Sequence, residues 1–388
     1  ILKHRPFFKE KYKEVFTLSS YIKRKRFRFY FFYFCGRISI LVWYKKTISG
    51  DFLITLKDIA KECKVSFSTV SKALKGSPEI SQDTISLIQK KAAEMGYHPN
   101  IAARTLRTSR TYNLGVIFED KTGAGFQHQY FAKIISGFQD VAQTKDYEIT
   151  FMSYNRNKQN DYFNHSKSRN FDGIAILSAN FSNPSIKQLV ESDIPTVTLD
   201  YIFDNTHTAV LSDNTKGMSE LVEYVIQMGH TKIAMIHGEQ TLVTEERKKI
   251  FLEICKKHNI KIPENYFAEA LYHDPMISAE ATNILLSLPE PPTCIFYPDD
   301  YSALGGIREI NSRKLTLGQD ISIVGYDGIM LTSMMIPPLT TYEQDGVKMG
   351  NLMAESLINK IENKKLQTEG KIIVGGRMLK GGSVANIK

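Results

Sequence analysis

Two hydrophobic periods divide the chain. From Thr55 to Gly96 the apolar positions recur every three or four residues, the period of amphipathic helices. Leu56, Ile59, Ala60 and Cys63 form one stripe. Thr55 opens it with Asp58 three residues on, a start that caps a helix and places a carboxylate near its positive end. Lys64-Val65 makes a tight connection, and Ser66 caps a second helix whose apolar side is Val70, Ala73 and Leu74. Gly76-Ser77-Pro78 stops that helix. A third begins after Ser81, buries Ile85, Ile88 and Ala92, and ends at Gly96. Two short helices joined by about three residues, with small Ala60 at their crossing, satisfy the needs of a helix-turn-helix. The segment from Tyr97 to Arg107 reads as a Pro-started, Ala-rich helix of about two turns, too short to be stable unless it packs on something.

Past Thr111 the period changes to short apolar runs alternating with helical stretches. The runs at 113–118, 148–152, 173–177, 196–200, 232–236, 294–297 and 322–326 predict buried parallel strands. Helical segments such as Met218 to Gln227 lie between them. This alternation predicts doubly wound α/β sheets, and its length favours two lobes over one. Ligands in such folds sit beyond the carboxyl ends of the strands. The polar residues there are Asp200, the adjacent Asp299 and Asp300, and Asp327, with Arg247 and Tyr272 in neighbouring loops and Tyr130-Phe131 near another. Carboxylates, a guanidinium and aromatic rings together suit a polyhydroxylated ligand, by paired hydrogen bonds to hydroxyls and stacking on a sugar face. Taken singly, each carboxylate is equally explained as a helix cap or surface group.

Charge changes the picture in two places. From Leu53 to Arg110 there are ten Lys/Arg against five Asp/Glu, a surplus suited to phosphates. If the second helix reads bases, its N-terminal residues Ser66, Phe67, Ser68 and Thr69, with Lys72 one turn on, face the base edges. Ser and Lys hydrogen-bond to bases, and a Phe ring packs on a thymine methyl. In the short fourth helix Asn100, Arg104 and Arg107 are candidates for DNA contact, and Leu106 for a wedge in the minor groove. The bland alternatives are a small helical subdomain with a solvated face, and a linker whose Leu docks on its neighbour.

Residues 1–52 are a second case. They hold 13 Lys/Arg against 3 Asp/Glu and an aromatic run at Tyr30-Phe31-Phe32-Tyr33-Phe34, so they supply the whole basic excess of a chain whose net charge is +9. They read as translated sequence upstream of a start near Leu53, or a disordered leader; a basic arm and a membrane anchor are the other readings. The anchor reading is weak, because Phe29 to Tyr44 is about 16 residues and Arg37 interrupts it, against about 20 needed. No cleavable signal-peptide pattern stands out. Four cysteines, at positions 35, 63, 255 and 294, show no metal or redox spacing, and a reducing cytoplasm suits them. Without a phosphate loop or nucleophile elbow, no cofactor and no catalytic activity are expected.

The pieces LKDIAKECKVSFSTVSKAL and GYHPNIAARTLRT, followed by such a core, closely resemble the LacI/GalR family of bacterial transcription regulators. The resemblance spans Ile54 to about Ala385. It implies a small all-α helix-turn-helix domain (53–98), a hinge helix and linker (99–110), and a two-lobed periplasmic-binding-protein-like α/β core (111–388). It also implies a cytoplasmic homodimer on a palindromic double-stranded operator, controlled by a small molecule, expected to be a carbohydrate. By position, Phe67, Ser68 and Lys72 are its base readers, Leu106 the hinge leucine, and Arg247, Asp300 and Asp327 its effector contacts. Gly381 stands where the family's closing motif commonly has Arg, and the chain ends without a heptad-bearing tail, which favours a dimer over a coiled-coil tetramer. A periplasmic sugar-binding protein would share the core yet lack the head. For a sugar-processing enzyme, Asp299-Asp300 is the temptation, but adjacent carboxylates on a strand point to opposite faces.

Overall fold

Thr55 and Asp58 start the first helix by satisfying each other's backbone. The Thr55 hydroxyl accepts from Asp58 N, and Asp58 Oδ2 accepts from Thr55 N at 2.8 Å. The computed structural model describes residues 30–34, 37–41, 54–97, 105, 108, 110–119, 125–152, 160–203, 207–363 and 370–388. Helix α1 (Leu56–Cys63) ends at Lys64, whose left-handed backbone turns the chain into α2 (Phe67–Leu74). Ser66 Oγ caps α2 by accepting from Thr69 N at 3.0 Å. Helix α3 (Gln82–Glu94) closes the unit over a core of Ile59, Val70, Ala73, Ile85 and Ile88. The three helices fall where the periodicity predicts. Ser81 precedes α3 without a side-chain capping bond. Of the first 52 residues, the structure describes an antiparallel pair, β1 (Tyr30–Phe34) and β2 (Arg37–Leu41).

The chain divides into two units at Asn100/Ile101. The second unit carries two parallel sheets. The first contains β3 (Asn113–Phe118), β4 (Glu148–Phe151), β5 (Gly173–Ser178), β6 (Thr196–Leu199) and β7 (Thr208–Ser212). The second contains β8 (Ile233–His237), β9 (Phe267–Glu269), β10 (Cys294–Phe296) and β11 (Ser322–Val324). An antiparallel pair, β12 (Thr341–Glu343) with β14 (Arg377–Leu379), adjoins it in sequence, while β13 (Lys371–Val374) returns to the first sheet beside β7.

Helices α4 (Gln129–Thr144), α5 (Tyr162–Arg169) and α6 (Pro184–Val190) follow successive strands of the first sheet. Helices α7 (Asn214–Gln227), α8 (Leu242–Lys257), α9 (Pro275–Leu286), α10 (Asp300–Ser312) and the short α11 (Met330–Ser333) belong to the second lobe. Helix α12 (Gly346–Glu362) crosses back to pack Met349, Met353 and Leu357 into the first lobe's core. Successive strand residues face opposite sides, so Val116 meets α4 and α12 while Ile117 meets α5 and α6. Both faces are covered, which explains why these strands read as continuous apolar runs. The chain passes between lobes three times, at 212–214, 343–346 and 374–377.

Two expectations change here. Asp299 and Asp300 do not end a strand: Asp299 caps α10 and Asp300 is its first residue. Asp300 is fully buried, and its carboxyl ties three elements together. It accepts from the Thr341 hydroxyl at 2.6 Å, Ile329 N at 2.9 Å and the Thr332 hydroxyl at 3.3 Å. With both oxygens engaged it does not line the cavity described below, so its expected role as an effector contact is replaced by a structural one. At Gly381, a Cβ would lie 2.1 Å from Pro338 O, so no side chain fits where the family commonly has Arg.

Burial, together with the neighbouring Asp299, pushes Asp300 up to about 7 against three hydrogen bonds that favour the ionised form. An acid raised above its unfolded value stabilises the fold most below that value, and this stability is lost as pH rises through the folded one. Unfolding free energy should therefore fall between about pH 4 and pH 7, at up to about 1.4 kcal/mol per pH unit from this group. In Asp300→Asn, denaturant melts across that range should lose this slope. A stability difference between the two proteins that stays constant with pH would contradict it.

Candidate ligand cavity and nucleic-acid interface

A cavity of about 450 Å³ opens between the lobes of the second unit, beyond the carboxyl ends of both sheets. Its floor is a hydrogen-bonded chain that crosses from one lobe to the other. Asp200 follows β6 in a left-handed conformation (φ +50), Tyr130 lies in the first turn of α4, and Tyr130 OH donates to Asp200 Oδ2 at 2.9 Å. Asp200 Oδ1 accepts from Ser212 N at 2.7 Å. The Ser212 hydroxyl donates to Gln344 Oε1, and Gln344 Nε2 donates to Asp327 Oδ1 at 2.7 Å. Gln344 sits in the second crossing between the lobes, in a stretch that no apolar periodicity singles out. Asp327 is held at φ +104, which favours glycine, and Gly328 follows it. Burial, then the Asp299 and Asp300 carboxylates, push Asp327 up to about 8 against the nearby Arg247. Burial likewise raises Asp200.

Arg247, on α8, is the buried cation of the site. Its Nε donates to Asn214 Oδ1 at 2.8 Å and its Nη1 to Pro298 O at 3.0 Å, with the guanidinium 3.6 Å over the Tyr326 ring. These two bonds leave further N–H groups of a five-donor fork for a ligand. Only three residues, Glu239 to Thr241, separate Gly238 from α8. A Cβ on Gly238 would stand 2.3 Å from the Tyr272 ring, so glycine is what lets that ring close over the site. Tyr272 is fixed by Glu239, which accepts from its N at 2.9 Å, and by the Thr244 hydroxyl at 2.9 Å from its OH.

Asp299 reaches the cavity wall, yet its oxygens already accept from Ser302 N and the Ser302 hydroxyl and from His273 N. Neither His273 nor His128 stands out in the hydrophobic periodicity. Both are buried, and their rings stack across the lobes at 3.2 Å and 8°. Gln129 also crosses, its Oε1 accepting from Met330 N at 2.6 Å. A second omission is the parallel stack of Phe181 on Tyr201, at 3.9 Å and 5°, which lines the cavity beside the expected Tyr130 and Phe131. These aromatics lie in loops after strands, where periodicity carries no signal. The site thus offers buried acceptors, one guanidinium and flat rings, a set able to hold ring hydroxyls by paired bonds and to cover a C–H face.

In the first unit, α2 turns Val70 and Ala73 inward and leaves Phe67, Ser68 and Lys72 exposed. Phe67 is 44% exposed, an unusual position for an aromatic in a unit with a complete core of its own. The Ser66 hydroxyl is committed to its cap and lies 2.8 Å from the Thr69 hydroxyl and 2.9 Å from that of Ser68. Asn100, Arg104, Leu106 and Arg107 lie outside the described residues.

Comparison with known proteins agrees with both halves. Residues 55–100 match the family of bacterial regulatory proteins of the lacI family, and residues 222–384 match the periplasmic binding protein-like domain. The "Probable HTH-type transcriptional repressor ExuR" of Bacillus subtilis (strain 168) is 33% identical over 320 residues, covering 82% of this chain and 94% of that protein. Among solved structures, a lac repressor dimer bound to operator and the anti-inducer ONPF superposes with a TM-score of 0.72 at 22% identity, covering 86% of this chain and 99% of that one. A complex of the transcriptional regulator CelR with cellobiose gives a TM-score of 0.66 at 21% identity, covering 85% and 99%. With a helix-turn-helix head, a two-lobed ligand-cleft core and this relative across most of its length, the chain belongs to the LacI family of DNA-binding transcriptional regulators.

Proposed function

We propose that the regulator answers to a neutral, polyhydroxylated small molecule, a sugar, held in the interlobe cavity. The observation that carries this is the pairing of half-buried Asp200 and buried Asp327 with one buried guanidinium, Arg247, beside flat aromatic faces. One buried guanidinium stands beside acids that burial holds toward their protonated form, so the cavity offers hydrogen bonds to hydroxyls more than a counter-charge to an anion. CelR's cellobiose complex supports the ligand class by analogy of fold. Arg247 would donate to one hydroxyl edge, Asp327 and Asp200 would accept from others, and Tyr272, Phe131, Phe181 and Tyr201 would enclose the ring. Asp299 would contribute from the wall through the bonds it already makes.

The protein would act as a cytoplasmic homodimer on a palindromic operator. Phe67, Ser68, Thr69 and Lys72 would read base edges, Ser66 would hold that helix start, and Asn100, Arg104 and Arg107 would contact the backbone around the Leu106 wedge. Because the cavity floor is one hydrogen-bonded chain through both lobes, a ligand bonded to Asp200 and Asp327 together prefers one lobe arrangement over another. That differential affinity is what couples the cavity to the operator.

Two substitutions test the separate halves. Arg247→Ala should lower sugar affinity roughly a hundredfold, by removing charged hydrogen bonds, while operator binding without sugar survives. An unchanged dose–response in a gel-shift titration would sink the cavity assignment. Leu106→Ala should leave the melting temperature unaltered and weaken operator binding roughly ten- to a hundredfold, the loss of a buried leucine's contact. Equal operator affinity of the two proteins would remove the wedge.

A further inference from the structure

The turn after the recognition helix brings an acid back to the face that reads DNA. Gly76, at φ +67, reverses the chain, and Ser77 N donates to Lys72 O at 3.0 Å, folding the segment against the end of α2. Glu79 then lands on Lys72, and its Oε2 accepts directly from Lys72 Nζ. The side chains are 49% and 65% exposed, so this pair adds little to stability. Its effect is on the field and freedom of the one cation projecting from the exposed face of α2 beside Phe67 and Ser68.

Lys is a flexible point charge that, left alone, follows any phosphate it can reach, and such contacts hold every sequence alike. A carboxylate tied to it cancels that charge and fixes the ammonium. Against a matching site the pair can be exchanged at little loss, since guanine O6 and N7 accept from Lys and cytosine N4 donates to Glu. Against random sequence nothing replaces it, and the carboxylate repels the backbone.

We propose that Glu79 is a specificity-determining residue, which lowers affinity for random duplex more than for operator by neutralising and positioning Lys72. The proposal rests on α2 being the recognition helix.

The experiment compares full-length wild type, Glu79→Gln, Lys72→Met and the double variant. Each is titrated across a salt series with a duplex of random sequence and with the duplex that wild type enriches from a random pool. Glu79→Gln should bind random duplex about tenfold tighter at low salt, with a log–log salt slope steeper by roughly two phosphate contacts per dimer, one from each head. The ratio of selected to random affinity should drop by a similar factor, and on the Lys72→Met background the change should shrink to about threefold or less. Glu79→Asp, which keeps the charge, should retain the wild-type slope, a result that a role in shaping the turn does not predict. Unchanged random-duplex affinity and slope in Glu79→Gln would overturn the proposal, as would an equal effect with and without Lys72. Failure of the recognition-helix reading looks different: Phe67→Ala and Ser68→Ala would then leave selected-duplex affinity unchanged, whatever Glu79→Gln does.

Discussion

Carboxylates held out of water in the loops and helix starts beyond the strands are the constraint on which the rest of the core turns. An ionised acid away from water costs several kcal/mol unless donors answer it, and otherwise it takes up a proton. Asp299, Asp300 and Asp327 are buried in the second unit, and Asp200 is half-buried. The structure answers them in two ways. Asp299 and Asp300 are satisfied within the second lobe, by the helix start they make and the segments they tie. Asp200 and Asp327 are linked across the cleft, through Ser212 and Gln344. Only the second pair makes the relative placement of the lobes part of the electrostatic solution. This division separates structural acids from acids that can read a ligand.

The same division explains what the sequence could and could not convey. Helices α1 to α3 and the seven strands with apolar runs were legible because burial on one face or both leaves a period in the residues themselves. Others were not: β9, β12 and β14 each carry a charged residue among only three, unlike the equally short β10 and β11, and β7 interrupts polar sequence, so none of them builds an apolar run. Asp300 looked equal to Asp299 on paper. Its destination was set by Thr341, some forty residues away, a contact with no local trace. Tyr130, Phe131, Asp200, Arg247, Tyr272, Asp299 and Asp327 do line one cavity. His273, Gln344 and the Phe181–Tyr201 stack were invisible, because each becomes notable only through a partner from another loop or the other lobe.

The head follows a different economy. Its core is complete with seven small or branched residues, so its surface is free to be chosen for recognition. The basic surplus between Leu53 and Arg110 suits attraction to any duplex. Under the proposed reading, discrimination comes from the few exposed groups at the start of α2, with a neutralised lysine among them that gives up affinity for choice. In both units the informative residues are those whose charge is checked by a neighbour instead of being left to solvent.

If the cavity and the operator are two ends of one equilibrium, their coupling is reciprocal: a ligand that changes operator affinity by some factor must have its own affinity changed by operator in the same factor. The most direct test is calorimetric titration of the effective sugar into the protein alone and into its complex with selected operator duplex. The account predicts two different dissociation constants, whose ratio equals the sugar-induced change in operator affinity measured separately. Identical sugar affinity with and without operator, alongside tight binding of both, would contradict it.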